Sequence, residues 1–302
     1  MHGKSSKGAP LPGFVGGTID RADEIRSNPD AVKRSFASPD ACRIMLEGLT
    51  PRLEGDRLML EPLPSDARLA DHVLLGVDDG GPVFVQLART LPSAAIPMPA
   101  LWELIGTLPA NEMALYGTAR SLLDWHVRHG FCAACGQPTL PEKAGWARRC
   151  GGCNTEHFPR VDPVSIMLAE KDGKVLLGRQ HRWPAGRYSA LAGFIEPGET
   201  IEEAVARELK EEAGITVHSV RYLLSQPWPF PSSLMIGCIG LTDSDELTLD
   251  QTEIEDAIWV DAQGVRASLL GLSDAPFIAP PPMAVAWHLL QLWLDEQGVS
   301  LD

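Results

Sequence analysis

Residues 193–215 read GFIEPGETIEEAVARELKEEAGI, and their pattern sets the architecture of the C-terminal half. Thr200 followed by Glu203 forms a capping box, a reciprocal arrangement that satisfies two free N–H groups at a helix start. Gly214 supplies the stop that ends many helices, so a helix is predicted over 201–213. At about 100° per residue, Ile201, Val205 and Leu209 form one apolar stripe that faces a core. Glu202, Glu203 and Lys210 keep away from that stripe, as surface residues do. Glu208 and Glu212 do not: they lie one turn apart and project within roughly 20° of Ile201. Two carboxylates at the edge of a buried stripe repel each other, and desolvation adds to the cost. Divalent cations remove both penalties, and Glu211 reaches the same ions from the flank. The plain alternative, a solvated acidic helix end, is outweighed by this facing and by the glycine loop before the helix. An all-oxygen donor set suits hard ions that keep several waters, Mg²⁺ or Mn²⁺.

Upstream stand two CxxC pairs, Cys132-Ala133-Ala134-Cys135 and Cys150-Gly151-Gly152-Cys153, with fourteen residues between them. Four thiolates on two tight turns predict a closed tetrahedral shell for one structural Zn²⁺ per chain, with no position left for substrate. A full cysteine shell leaves His157 as a bystander. Cys42 and Cys238 read as buried core thiols. Lys143, Arg148 and Arg149 form a modest basic cluster, either a plain surface or an edge for RNA.

The chain has 302 residues, 44% of them hydrophobic, and a formal net charge of −14. Such a charge repels nucleic acid and anionic lipid over most of the surface. No apolar run approaches the roughly 20 residues of a membrane span. The polar lead up to about Gly17 reads as flexible and lacks the apolar core of a signal peptide. These features predict a soluble cytoplasmic protein that makes no membrane contact. Three regions are expected: an N-terminal mixed α/β domain (1–125), structural or dimerising; a zinc ribbon (126–159); and a catalytic domain (160–302). The fold class is mixed α/β (α+β). In the first region, 72–77 and 82–87 flank Asp78-Asp79-Gly80-Gly81 and predict a hairpin, followed by a helix over 111–127. In the last, 164–169 and 174–177 flank Asp172-Gly173 as a second hairpin. Strands are expected near 235–241 and 257–260, with a final helix over 283–296; together they suggest an α/β sandwich.

The acidic stretch resembles the Nudix box at every defined position: Gly193, Glu199, Arg207-Glu208-Leu209, Glu211-Glu212 and Gly214-Ile215. The resemblance implies an α/β/α sandwich that cleaves nucleoside diphosphates linked to another moiety. It implies that Glu208, Glu211 and Glu212 bind two or three metal ions, and that Arg207 holds Glu199 in a salt bridge. Ten residues beyond the box, Ser225-Gln226-Pro227-Trp228-Pro229-Phe230-Pro231-Ser232-Ser233 resembles the signature of the NADH pyrophosphatases, which also carry a four-cysteine ribbon before the box. Alternating prolines stiffen this segment and present rigid rings for stacking on a base. By that likeness Gln226 to Ser233, with Phe158, Phe194 and the main chain at Ala286, line the nucleotide pocket. The Ala192 carbonyl and Glu253 join the metal ligands, with Glu255 as an alternative to Glu253. Glu212 is the first choice as general base and Glu211 the second. Hydrolysis of NADH or NAD to AMP and nicotinamide mononucleotide is implied, with removal of NAD caps from RNA and a homodimeric state. A broader nucleotide pyrophosphatase and a non-enzymatic zinc-ribbon RNA binder are the competing readings. Two positions depart from some relatives: Gly145 where an acid precedes Trp146, and Phe158 in place of Tyr.

Overall fold

The computed structural model describes residues 11–88, Thr90 and 97–301. They form two compact units, each considered by itself. One holds Phe14–Val161 together with Trp228–Ser232; the other holds 11–13, Asp162–Pro227 and the chain from Ser233 onward.

In the first unit, strands β1 (Cys42–Ile44), β2 (Leu60–Pro62), β3 (His72–Asp78) and β4 (Gly81–Gln86) make a sheet of order β2-β1-β4-β3. β3 and β4 are the expected hairpin, with a register shift between Leu74 and Gly76. Helix α1 (Pro29–Phe36) is capped by Asn28, whose side chain accepts from the N–H groups of Asp30 and Ala31. Helices α2 (Met98–Ile105) and α3 (Ala110–Arg128) follow. The ribbon is a three-stranded sheet of β5 (Thr139–Glu142), β6 (Ala147–Cys150) and β7 (Glu156–His157), antiparallel throughout.

The polar lead requires a correction. Residues 1–10 lie outside the described residues, but 11–17 are not a loose lead. The Gly13 N–H donates to the Met283 carbonyl at 2.9 Å, and Phe14 is 3% exposed. An aromatic ring stabilises the fold by burial, and Phe14 packs edge-on against Trp228 and Phe230.

The second unit is built on β8 (Asp162–Lys171), β9 (Lys174–Arg179), β10 (Leu191–Phe194), β11 (Val217–Trp228), β12 (Ser233–Thr242) and β13 (Asp256–Asp261), in the order β11-β12-β8-β9-β13 with β10 beside β8. The β8–β9 hairpin pairs only at its turn, Glu170 with Val175 and Lys171 with Lys174. Farther along, β8 takes β10 as its antiparallel partner and runs parallel to β12. Alternation along the strands sends side chains to opposite faces. Ile166, Leu168, Val175 and Leu177 enter one core with α6 (Val285–Glu296), whose predecessor α5 (Ala262–Leu269) follows β13. Met167, Ala169 and Leu176 enter the other core with Val205 and Leu209 of α4 (Ile201–Ala213). The unit is therefore an α/β/α sandwich. Helix α6 starts two residues later than expected, after Pro281, Pro282, Met283 and Ala284, since prolines lack the N–H that a helix interior needs.

No helix of the described residues is long and apolar enough to cross a membrane.

Candidate active site and zinc centre

Both ends of α4 have local causes. Thr200 accepts from the Glu203 N–H at 3.2 Å while Glu203 accepts from the Thr200 N–H at 2.7 Å, and Gly214 sits at φ 75°. Val205 and Leu209 are fully buried. Two such side chains contribute about 3–6 kcal/mol, enough to hold the helix against the sheet while it carries two acids inward. Glu208 is 9% exposed and Glu212 4%.

Glycine makes the approach possible. A Cβ on Gly193 of β10 would lie 1.9 Å from the Glu208 carboxyl carbon, so only glycine lets that carboxylate rest against the strand. Arg207 spans the surrounding acids. Its Nε and Nη2 donate to Glu199 at 2.6 and 2.9 Å, and its Nη1 donates to Glu208 at 2.7 Å and Glu211 at 3.1 Å. Nη2 also donates to the Phe194 carbonyl at 2.9 Å. The forked guanidinium suits this task because it presents several donors in one plane. It holds the Glu199 carboxyl down at about 2, helped by the Glu196 N–H.

Glu212 has the opposite character. Desolvation first, then the charges of Glu208, Glu253, Asp250 and Glu211, push its carboxyl up to about 8. Its Oε2 is buried without a hydrogen-bond partner. Burial likewise raises Glu208, against the pull of Arg207. The loop carrying Glu253 is stitched to α4: the Asp250 N–H donates to the Glu212 carbonyl at 3.1 Å and the Thr248 N–H to the Ala213 carbonyl at 2.9 Å. A cavity of about 130 Å³ beside Glu212 is lined by Ala192, Gln180, Trp183, Ser189 and Ile254. A buried orphan carboxylate oxygen amid other acids fits a divalent cation. Glu255 faces another charge, pairing with Arg179 at 2.6 Å.

These shifts act in separate pH windows. In divalent-free protein, Glu212 keeps its proton up to about 8 when folded and sheds it near 4.5 when unfolded. Its burial therefore costs stability as pH rises through that interval. Glu199 contributes stability above the ordinary carboxylate value that is lost as pH falls toward 2. Thermal melts are expected to show Mg²⁺ raising the midpoint by a few degrees more near pH 8 than near pH 6, by roughly 2–4 °C per kcal/mol. Equal increments at both pH values would refute this.

In the zinc centre, all four cysteine Sγ atoms lie within 4.8 Å of one another. Cys132–Cys153 and Cys135–Cys150 are 3.6 and 3.4 Å apart, close to the roughly 3.8 Å edge of a tetrahedron with 2.3 Å Zn–S bonds. The cluster fits a structural zinc ion. Among the described residues only these cysteines converge so tightly; the carboxylates spread wider, as suits ions that retain water.

His157 is not the bystander expected. Its Nε2 lies 3.2 Å from Cys132 Sγ, where an N–H donor relieves thiolate charge; the ring reaches it because β7 pairs with β6. His157→Ala is expected to lose zinc to a chelator about tenfold faster, measured with a metallochromic dye; an unchanged rate refutes it. The basic cluster also needs correction. Arg148 is 8% exposed and is consumed by Thr139 and His126, while Arg149 and Lys143 pair with Glu142 and Glu156. Of the three, Arg148 faces inward, while Arg149 and Lys143, 34% and 44% exposed, have their charge offset by acids and so form a weak edge for RNA. Gly145 has a steric cause: at φ 92° its Cβ would strike Val73 at 2.6 Å.

The aromatic segment divides. Gln226 is fully buried, donating to the carbonyls of Gly13 and Met283 and accepting from the Val285 N–H. With its amide so used, it braces the unit and presents no surface to a pocket. Trp228 and Phe230 pack with Phe14 and Trp102, and Arg120 lies 4.5 Å over the Phe230 ring while donating to the Pro229 carbonyl. Ser121 donates to Pro231 and Ser232 to Arg160. Pro227 is exposed, and Ser233 opens β12. Phe158 and Phe194 are exposed, at 56% and 61%. Ala286 is buried in the first turn of α6, where backbone N–H groups lack intrahelical acceptors.

The chain matches the NUDIX domain family over residues 159–279 and the NADH pyrophosphatase zinc ribbon domain over 128–158. It is 36% identical over 305 residues to the NAD-capped RNA hydrolase NudC of Mycobacterium tuberculosis, covering 95% of each chain. The chain belongs to the Nudix family. It is also 46% identical over 208 residues to the human NAD-capped RNA hydrolase NUDT12, covering 66% of this chain. It spans 44% of that relative's length. Within this Nudix chain, the sequence reading passed over Gln180 and Trp183, which line the cavity at Glu212; a lone tryptophan just before the box was their only signal. Phe14, Trp102 and Arg120 were missed as well, lying far from the rings they hold.

Proposed function

We propose that this Nudix chain hydrolyses the pyrophosphate of NADH and NAD, releasing AMP and the corresponding nicotinamide mononucleotide, and also removes NAD caps from RNA. The observation that carries the reading is the buried pair Glu208 and Glu212, with the proton affinity of Glu212 raised to about 8. The choice of dinucleotide is supported by the ribbon and by the mycobacterial relative that spans nearly the whole chain. Glu208, Glu211, Glu212, Glu253 and the Ala192 carbonyl would hold two or three Mg²⁺ or Mn²⁺ ions, which would supply neutralisation of the phosphoryl oxygens and acidification of the attacking water. Glu212 accepts the water's proton, with Glu211 as second candidate. Arg207 and Glu199 keep the loop before α4 in place, and Trp228, Phe230 and Phe158 offer ring faces to the bases. A cytoplasmic setting keeps the four zinc thiols reduced. A homodimer, with 1–125 as a structural or dimerising region, is supported by the family resemblance alone.

Zinc-replete protein incubated with NADH and Mn²⁺ is expected to yield AMP and reduced nicotinamide mononucleotide by chromatography, faster than it cleaves ADP-ribose. Failure on NADH, NAD, NAD-capped RNA and ADP-ribose alike would remove the enzymatic reading.

A further inference from the structure

Glu253, proposed above as a metal ligand, stands exposed on the loop 250–255, outside the acidic helix. An exposed side chain loses rotamer freedom when it takes an ion, so a loop already held in place lowers the cost of ligation. The loop does bring Glu253 near the buried acids, for its charge is felt at both Glu208 and Glu212. One side of the loop is tied to α4 by the Asp250 N–H and the Glu212 carbonyl, at 3.1 Å. Within it, the Asp250 carboxylate accepts from the Thr252 N–H and hydroxyl at 2.8 and 2.7 Å, an arrangement that closes short turns. Ile254, 2% exposed, is sunk into the core beside α4.

The other side of the loop is held by residues that belong to neither the acidic helix nor the metal set. Arg179 ends β9, and its carbonyl accepts from the Glu255 N–H at 2.8 Å. Its guanidinium Nη2 pairs with Glu255 at 2.6 Å, and Nη1 donates to the Trp183 carbonyl at 3.3 Å. His181 makes a parallel tie, with Nε2 2.8 Å from the Gln251 carbonyl; a carbonyl only accepts, so Nε2 carries the hydrogen. Trp183 and Ile254 both line the cavity at Glu212. One short stretch, 179–183, therefore grips the metal loop at Gln251 and at Glu255 and also forms part of the cavity wall.

The pairing of Glu255 bears on which of the two glutamates serves the ions. The Arg179 side chain is 15% exposed and that of Glu255 35%, so water and salt screen this pair less than one on the open surface. The bond is short, as charge-assisted bonds are, and it occupies a Glu255 oxygen that a metal would need. Glu253 has no such competitor: among the described residues no lysine or arginine pairs with its carboxylate.

We propose that Arg179 and Glu255 form a clamp, assisted by His181, that positions Glu253 for the divalent ions, and that Glu255 is a positioning residue and not a ligand. The inference rests on the reading of Glu253 as a ligand and deepens it. The two roles of Glu255 respond in opposite directions to loss of the arginine. With Glu255 as a ligand, Arg179 competes with the metal for it, and removing Arg179 tightens the metal. With Glu255 as a clamp, removing Arg179 loosens the loop and weakens the metal.

The test is Mn²⁺ binding to full-length, zinc-replete protein, read from the electron paramagnetic resonance of the free ion, which needs no turnover. Glu253→Gln is expected to weaken one Mn²⁺ site by about tenfold or more. Arg179→Gln and Glu255→Gln are expected to weaken that same site about tenfold, the lower end of the effect of residues that orient a ligand. His181 is 54% exposed, so His181→Ala keeps the fold, and it should weaken the site about threefold. The double variant Glu253→Gln/Glu255→Gln should bind no more weakly than Glu253→Gln alone, since a clamp with nothing to aim adds nothing. Zinc content and a thermal melt check each variant; if Arg179→Gln fails them, the double variant decides. Unchanged or tighter Mn²⁺ binding in Arg179→Gln, or losses that multiply in the double variant, overturns the clamp and leaves Glu253 a ligand. Unchanged binding in Glu253→Gln overturns the ligand reading and the clamp with it. Failure to cleave NADH bears on the hydrolase reading and leaves these binding results standing.

Discussion

Glu212→Gln is expected to lower AMP release from NADH by about a thousandfold or more, since it removes a proton acceptor and a metal ligand together. The substitution keeps the shape of the side chain and removes its charge. Glu212 is 4% exposed with an orphan oxygen, and burial has already pushed its carboxyl up to about 8. A neutral amide meets less desolvation penalty than a carboxylate there. The variant therefore melts no lower than the parent in divalent-free buffer at pH 8, and gains less from added Mg²⁺. Loss of activity with intact stability separates a chemical role from a folding defect. Glu211, 61% exposed and paired with Arg207, has fewer constraints, and Glu211→Gln should cost less. A Glu212→Gln enzyme that keeps more than about a tenth of the parent rate would exclude Glu212 as the base.

The parts of this molecule that sequence revealed are those governed by short-range rules. Thr200, Glu203 and Gly214 act within one turn of their own helix, so the limits of α4 could be read directly. The cysteine spacing places four sulfurs within bonding reach of one ion for the same local reason. Distant partners were not legible. Leu191–Phe194 is a four-residue strand whose place beside β8 depends on residues 24 or more positions away, and no periodicity announces it. By sequence, the flanking prolines alone account for the rigidity of the Trp228 and Phe230 rings. In the structure Phe14, Trp102 and Arg120 hold them as well. That gives the N-terminal region a structural task although it carries no catalytic motif. Gln226 departs in the opposite sense: a polar residue inside a binding signature suggests pocket lining, but its buried amide ties three backbone groups.

Arg207 is the residue whose loss should spread farthest. Its guanidinium pairs with Glu199, Glu208 and Glu211 together, and it also donates to the Phe194 carbonyl. Truncation to alanine leaves Glu199 without its cation and removes the charge that offsets Glu208. A carboxylate stripped of its partner swings toward solvent, or, as the buried Glu208, stays with its charge uncompensated. Either response moves the loop before α4 and the Glu208 carboxylate that Gly193 admits against β10. The expected result is a loss of about a hundredfold or more in kcat/KM. Lysine should rescue little, because a point charge cannot replace two parallel bonds to Glu199. Glu199→Gln breaks the same clamp from its other end, so the double variant Glu199→Gln/Arg207→Ala should be scarcely worse than Arg207→Ala alone. That non-additivity is the signature of two residues acting as one unit. If the two losses instead multiply, Arg207 acts on the substrate phosphates directly, and its bond to Glu199 is incidental to turnover.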